Sequence, residues 1–359
     1  MKHEINMDKM LESYSKEYDF HFCRIDEIED VVSFIDNYWK KNHILVLSRP
    51  LLDWQHLDRQ RNRYNFSIAR SRKNNEIHAI TGFIPIGQFD PALPQYAFYG
   101  AIWKEREDVA PIGLGISVYY FACRELQPYF WGSIGISETG CKNQGKEIKE
   151  MEHYFLLNPS CAQFNIAKNV EKYRKYNLKD REGWTCCPLS LQDYNALPIE
   201  SPVFIYIYGL KTKDYYINRF FLHPVYKYHF LAIKEGEIVK AIVVYRKCPA
   251  NSSACLRIVD FIGEFTALEN VSGSFVSLLE KEQCEYIDFL VANGDSISIE
   301  KAGFINKQKT ENSIIPNWFE PFVQENKPLN YSFWCYDPGY IPVLFRGDSD
   351  QDRPNLPWW

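Results

Sequence analysis

Residues able to move protons, stack on rings or hold anions are spread along this chain, and each points to a different chemistry. His153 stands at the head of an apolar run, and imidazole ordinarily exchanges a proton near neutral pH. Trp54, in Asp53-Trp-Gln-His56, offers an indole face for stacking on a sugar or a base. His223-Pro-Val-Tyr226 lies in an aromatic stretch with Tyr215, Tyr216, Phe220, Phe221 and Tyr228, which reads equally as a cleft wall or a domain core. Arg257 and Arg353 are guanidinium groups suited to a diphosphate. Asn317 and Glu320 sit in a turn flanked by Pro316 and Pro321. Asp348, Asp350 and Asp352 match the start of a calcium loop, but no glycine follows at the sixth position and no Glu closes it, so no metal is expected. Two readings remain for this tail: a solvated turn, or Asp350, Asp352 and Arg353 reaching a cleft to bind hydroxyls or an amine. The sequence has no G-x-S-x-G, H-E-x-x-H, Walker A loop or full dinucleotide fingerprint. Its ten cysteines form no C-x-x-C pair and are expected to be reduced and mostly buried.

The elements that must position these groups follow from apolar spacing. Glu27 to Lys41 reads as an amphipathic helix. Tyr64–Ala69 and Ile77–Ile86 read as a hairpin across a polar turn, and Tyr96–Lys104 as a third strand. Pro111-Ile-Gly-Leu-Gly115 then leads into an apolar helix ending at Leu126. Trp131–Ser137 is a strand, Glu147–Glu150 a short helical piece, and His153–Leu157 a strand. Residues 161–200 read as a linker with a partial helix around Ala167–Tyr176. The apolar run Pro202–Leu210 has strand length. The second half repeats the order: a hairpin Tyr228–Lys234 and Ile238–Lys247, a strand Ala254–Phe265, a helix Val271–Lys281 and a strand Tyr286–Val291. A short helix, Ile297–Ala302, ends at Gly303.

The strand, glycine turn and helix at Tyr96–Leu126 resemble the GNAT acyltransferase fold. In that family a Q/R-x-x-G-x-G/A turn opens the helix after the fourth strand. Ala110-Pro-Ile-Gly113-Leu-Gly115 fits its glycine positions, with Ala110 where Gln or Arg is expected. Such glycines let a diphosphate approach backbone N–H groups at a helix N-terminus. The resemblance implies that Ile112, Gly113, Leu114 and Gly115 hold acetyl-coenzyme A or another acyl-coenzyme A as co-substrate. The second half has Gly263-Glu-Phe-Thr-Ala-Leu-Glu-Asn270 instead, whose acids repel a diphosphate, so it is expected to shape the acceptor site.

Acyl transfer to an amine needs a base, a donor to the thioester oxyanion, and a proton for the leaving thiolate. On this resemblance the bases are His153 and Glu138. The acid is often a Tyr on the next short helix; Cys141–Glu150 has none, so the role is either vacant or moved to Tyr154. Asn42-His43 and Trp54-Gln55-His56 flank a segment the fold often uses for its acceptor.

A second resemblance covers almost the whole chain. It is to GNAT-like proteins of bacterial surface-polysaccharide gene clusters. Asn42-His-Ile-Leu45, Gly82-Phe-Ile-Pro85, His223-Pro-Val-Tyr226, Arg257-Ile-Val-Asp260, Ile315–Pro321 and the tail Asp348–Asn355 carry it. It implies N-acylation of a nucleotide-linked amino sugar for O-antigen or capsule synthesis. Two alternatives stand beside it. One is aminoacyl transfer from a carrier or tRNA, as in the tandem GNAT-like peptidoglycan enzymes, with Arg59-Gln-Arg61-Asn-Arg63 as the basic cluster. The other is a non-catalytic sugar-binding protein.

The chain has 359 residues, 46% hydrophobic and 24% charged, with net charge −5. The mild acidity argues against nucleic acid as a partner. No run approaches 18 apolar residues and the first residues show no signal peptide, so no membrane insertion and a cytoplasmic location are expected. The expected fold is mixed α/β (α+β): two GNAT-like domains, each a mixed, mostly antiparallel sheet flanked by helices. They are placed at 1–160 and 201–359, with a linker at 161–200.

Overall fold

The computed structural model describes residues 7–93, 96–207 and 210–355. The chain forms two compact units. The first holds the residues up to Ile148 and the returning segment Tyr331–Gly339; the second holds Lys149–Asn330 and Tyr340–Arg353. The boundary expected at 160 therefore lies earlier in the chain.

The first unit opens with helix α1 (Met7–Tyr14), strand β1 (Tyr18–Arg24), helix α2 (Ile28–Phe34) and helix α3 (Arg49–His56). Strands β2 (Arg63–Ser71), β3 (Ile77–Pro85) and β4 (Ala97–Glu105) follow, antiparallel to one another. Helix α4 (Leu114–Leu126) then crosses over to β5 (Phe130–Ile134), which runs parallel to β4. Leu114, Val118 and Ala122 recur every four residues along α4. They bury one stripe against Ala69 and Ala79 below and Phe83, Phe98 and Trp131 beyond. The β4–β5 pairing covers only Ala97–Gly100 and Phe130–Ser133, and β4 runs on to Glu105 along β3, so the two strands part. Helix α5 (Glu138–Asn143) follows β5. Its Ser137 cap takes the Gly140 N–H, which is why the short helix starts here rather than at the expected 147–150.

The second unit repeats the plan. Strand β6 (Glu152–Leu157) precedes β7 (Trp184–Leu189) and helix α6 (Leu191–Ala196). Residues 161–200 are thus not a free linker: β7 pairs with the first strand of the next hairpin, and the only helical turn near 167–176 is 3-10, at Glu171–Tyr173. Pro202–Tyr206 is a 3-10 turn, not a strand, and proline at its first position presets the φ of such a turn; residues 208–209 of the expected run lie outside the described residues. Strands β8 (His229–Glu235), β9 (Ile238–Ala250) and β10 (Ser253–Gly263) form a meander. Helix α7 (Ser272–Glu282) crosses to β11 (Tyr286–Ala292), parallel to β10 over Leu256–Ile258 only. Phe275 and Leu279 of α7 enter the core with Leu256, Ile258, Ile287 and Phe289. Helix α8 (Ser296–Lys301) and strand β12 (Ile305–Asn306) follow. The sheet order is β12-β6-β11-β10-β9-β8-β7. Strand β13 (Asn330–Cys335) returns to the first sheet and pairs antiparallel with β5.

The last strand, β14 (Leu344–Phe345), pairs with Val291 and Ala292 of β11. Strand β6 already covers the other edge of β11 from Tyr286 to Val291, so β14 lies on the edge that faces β10. There Gly347 N–H donates to Val259 O at 2.8 Å. The gap left where β10 and β11 part is filled by residues 344–347, with Phe345 stacked against Phe265 and Phe289.

A side chain at 347 has no room: its Cβ would lie 2.6 Å from Val259 O and 3.1 Å from Phe220 Cζ. Gly347→Ala should therefore destabilise the second unit by about 1–3 kcal/mol. A lowered urea midpoint checks this; an unchanged midpoint refutes the filled gap.

Candidate functional site

The glycine turn of the first unit has the geometry its sequence implies. Gly113 caps α4 with φ 94°, a left-handed conformation that favours glycine. The Gly115 N–H, however, is already taken: it donates to Glu105 Oε2 at 2.6 Å. A Cβ at 115 would sit 2.7 Å from that oxygen, so glycine is needed here for the carboxylate's approach. A carboxylate suits the positive end of a helix. A diphosphate takes this N–H only after Glu105 leaves it. Helix α1 also approaches the turn, with Tyr14 Oη donating to Ile112 O at 2.7 Å, while the Ile112 side chain is fully exposed. The second unit shows the same device. Ser274 N–H, in the first turn of α7, donates to Asp180 Oδ1 at 2.8 Å.

Glu138 stands in the first turn of α5, exposed and 3.7 Å from Lys142. Trp54 half-lines an open cleft of about 730 Å³ with Arg49, Asp53, Asp58, Arg59 and Gln88. Its ring packs on Phe89 at 4.8 Å. His43 and His56 do not line this cleft. His43 is buried and its Nδ1 accepts the Leu45 N–H at 3.2 Å. His56 is fully buried, Nδ1 against Phe83 O at 3.2 Å and Nε2 against Gln55 at 3.0 Å. Both are core histidines. Sequence reasoning missed Lys146, whose Nζ is buried beside α4 and α5 with no hydrogen-bond partner among the described residues. Burial pushes its ammonium down to about 8. In a polar stretch it reads as a solvated residue.

In the second unit the structure brings His153, Arg257, Asn317 and Asp352 into one buried network. His153 of β6 lies diagonally across from Asp288 of β11, and its Nε2 meets Asp288 Oδ1 at 2.8 Å. Arg257 of β10 grips the other oxygen, Nε at 3.0 Å and Nη2 at 2.6 Å. Burial alone would raise the Asp288 carboxyl; Arg257 and then His153 outweigh it and hold it well below the usual carboxylate range. Arg257 Nη2 also donates to Asn317 O at 2.9 Å. Asp352 is gripped from the far side by Arg246, at 2.7 and 2.8 Å. Arg346 joins at 3.8 Å, its guanidinium pushed down to about 9 by burial and by Arg257.

Several expectations are corrected by this network. Asp348, Asp350 and Asp352 are buried, so the tail is not a solvated turn. Asp350 pairs with Arg353, and Asp348 with Lys211, itself fully buried between Asp348 at 2.8 Å and Asp260 at 2.6 Å. Buried charges need such partners, and these are held by the fold rather than offered to a ligand. Arg257 is likewise an internal cation. Tyr154, next to His153, points to the opposite face of β6 and is a fully buried core residue, which removes it as an acid. His223 Nδ1 accepts the Val225 and Tyr226 N–H groups, and burial, then the Arg219 charge, pushes the ring down to about 3. Glu320 accepts Tyr226 Oη at 2.7 Å. Asp288 and Asp260 were missed, although each is a lone carboxylate in an apolar strand, which is a signal of buried pairing. Among the described residues no His, Cys, Asp and Glu group is placed to hold a metal, and no helix is long and apolar enough to cross a membrane. All ten cysteines are free thiols.

His153 and Asn317 line the same small pocket, of about 170 Å³. It is the place where the expected base meets an expected binding residue.

No family model matches the sequence, and no curated protein matches it. Solved structures do match in fold. A GCN5-related N-acetyltransferase from Anabaena variabilis gives a TM-score of 0.53 at 9% identity, over 88% of this chain and 72% of that one. N-myristoyltransferase of Saccharomyces cerevisiae with bound myristoyl-CoA gives 0.45 at 8% identity, over 92% and 79%. An Enterococcus faecalis protein, a probable N-acyltransferase, gives 0.49 at 9% identity, over 81% and 70%. The first likeness shows a GNAT-like fold over most of the chain.

The Lys211 site makes a pH prediction. Burial, with Asp348 adding to it, raises the Asp260 carboxyl to about 6 against the pull of Lys211. A raised carboxyl contributes stability that is present below its unfolded value of about 3.9. That contribution is lost as pH rises through the folded value. Between these limits the wild-type protein should lose stability that Asp260→Asn does not lose. Urea midpoints of both across this range check it; parallel curves refute it.

Proposed function

We propose that this protein is an N-acyltransferase. It moves an acyl group from acyl-coenzyme A to the amine of a nucleotide-linked amino sugar, by direct attack and without a covalent enzyme intermediate. The observation that carries this reading is His153, held by an ionised Asp288 and opening on a pocket within a GNAT-like unit. An imidazole oriented by a carboxylate is the arrangement a general base needs. His153 takes the ammonium proton, and the freed amine attacks the thioester carbon; the C–N bond forms, the C–S bond breaks, and the thiolate leaves with the proton that the acylated nitrogen gives up. The sugar assignment is supported by the sequence resemblance. Such substrates put the reaction in the cytoplasm, supplying O-antigen or capsule synthesis.

Glu105 favours a second reading. A carboxylate on the Gly115 N–H suits a donor that brings no diphosphate to α4, as in aminoacyl transfer from a carrier or tRNA.

Thermal shifts with coenzyme A and UDP-amino sugars, joined to a thiol-release assay, test both. Ligand at 100 times its dissociation constant adds about 2.7 kcal/mol. On the first reading coenzyme A raises the melting temperature, Glu105→Gln enlarges the shift, and Gly113→Asp abolishes it. His153→Asn lowers kcat by roughly 100-fold or more with the fold intact. No coenzyme A shift in either wild type or Glu105→Gln moves the donor to the second reading. Full transfer by His153→Asn removes it as the base.

A further inference from the structure

We infer that Lys307 holds the phosphate of the acceptor beside His153. The inference rests on the proposed reaction, with His153 as its base, and names the residue that binds the anionic part of the same substrate. Strand β12 pairs antiparallel with β6, with Ile305 opposite Phe155 and Asn306 opposite Tyr154. Carried one residue further, this register sets Lys307 opposite His153. Side chains two residues apart along a strand share a face. Ile305 and Phe155 meet in one apolar cluster, so Lys307 and His153 stand together on that face, where the cluster gives way to the pocket. The turn Lys307–Lys309 is tied to β6 by its middle residue. Gln308 Oε1 accepts the His153 N–H at 3.3 Å, and Gln308 Nε2 donates to Met151 O at 3.2 Å.

The charges of the wall single out Lys307. Lys327, also in the lining, is 48% exposed and pairs with Glu325 at 3.0 Å. Glu150, the carboxylate in the lining, is exposed and accepts Gln308 Nε2 at 3.4 Å. Nearby Lys301 and Lys309 pair with Glu269 and Glu300. Lys307 is half-buried, and among the described residues no carboxylate lies within ion-pair distance of it. A half-buried ammonium that no acid of the fold meets is placed for an anion that a ligand brings. The acceptor brings one. A nucleotide-linked sugar carries its diphosphate on the ring, a few bonds from the amine. An amine delivered to His153 therefore brings phosphate oxygens within reach of the facing strand, and a flexible four-carbon stem lets the ammonium meet them. Arg257 and Arg353, expected in this role, are engaged inside the fold by Asp288 and Asp350.

The test is binding by the full-length protein with no acyl donor present. D-glucosamine 1-phosphate and D-glucosamine, which differ by the phosphate alone, are compared by titration calorimetry or saturation-transfer NMR. The phosphate ester should bind about tenfold tighter to the wild type. Lys307→Met, which keeps the stem and removes the charge, should erase this preference, while Lys307→Arg should retain it. Lys309→Met removes a lysine two positions away that Glu300 already holds, and should leave the preference unchanged. Thermal melts certify that each variant folds, and Lys307→Gln replaces Lys307→Met if that one does not. Equal binding of the two sugars, no binding of either, an undiminished preference in folded Lys307→Met, or an equal loss in Lys309→Met overturns the inference. Because no acyl group is transferred, these outcomes leave the role of His153, read from the kcat of His153→Asn, untouched, and a missing transfer activity leaves phosphate binding at Lys307 standing.

Discussion

The ion pair between Arg257 and Asp288 is the contact from which the second unit is organised. Both groups are buried, both come from central strands, and they join β10 to β11 where those strands run parallel. A charge placed there without its partner would be strongly destabilising. The pair therefore dictates its surroundings. On one side Asp288 orients His153; on the other Arg257 reaches Asn317 O and approaches Asp352. Asp352 in turn satisfies Arg246, and Tyr228 Oη closes on it at 2.9 Å. Arg257, Asp288, Asp352 and Arg246 thus each face a charge of opposite sign, which lets the unit keep these ions out of water.

That chain also separates structure from chemistry among residues that look alike. Arg257, Asp350, Asp352 and Arg353 are of the types that bind sugars and phosphates, but here they bind one another. His153 and Asn317 belong to the same neighbourhood and differ in one respect: both also line a small pocket.

Most of the fold was legible in the residues, because hydrophobic period decides strands and helices locally. The hairpins, the two crossovers and helices α4 and α7 appear within a few residues of their expected bounds. What was not legible depends on distant partners. Residues 184–189 look like linker until β8 provides an edge for them to pair with. The acidic tail looks solvated until Lys211, Arg246 and Arg353 are in place. Of the site, His153 and Asn317 could be named from sequence but their shared pocket could not. Glu105 was invisible as a cap because nothing in a strand end announces which N–H its side chain will find.

The strap of residues 344–353 has a consequence for how the protein is made. Strand β14 and its neighbours complete the second sheet, and Arg219 receives two of its acceptors, Gly347 O and Ser349 O, from a segment 128 and 130 residues further along the chain. On the ribosome, Lys211 and Arg219 emerge long before the groups that neutralise them. Hairpin β8–β9 and its partner β10 can form from local contacts as they appear, whereas the sheet with its buried cations stays open until the strap has been synthesised. The second unit is therefore held in an unfinished state until the strap emerges, with charged and apolar surface exposed together.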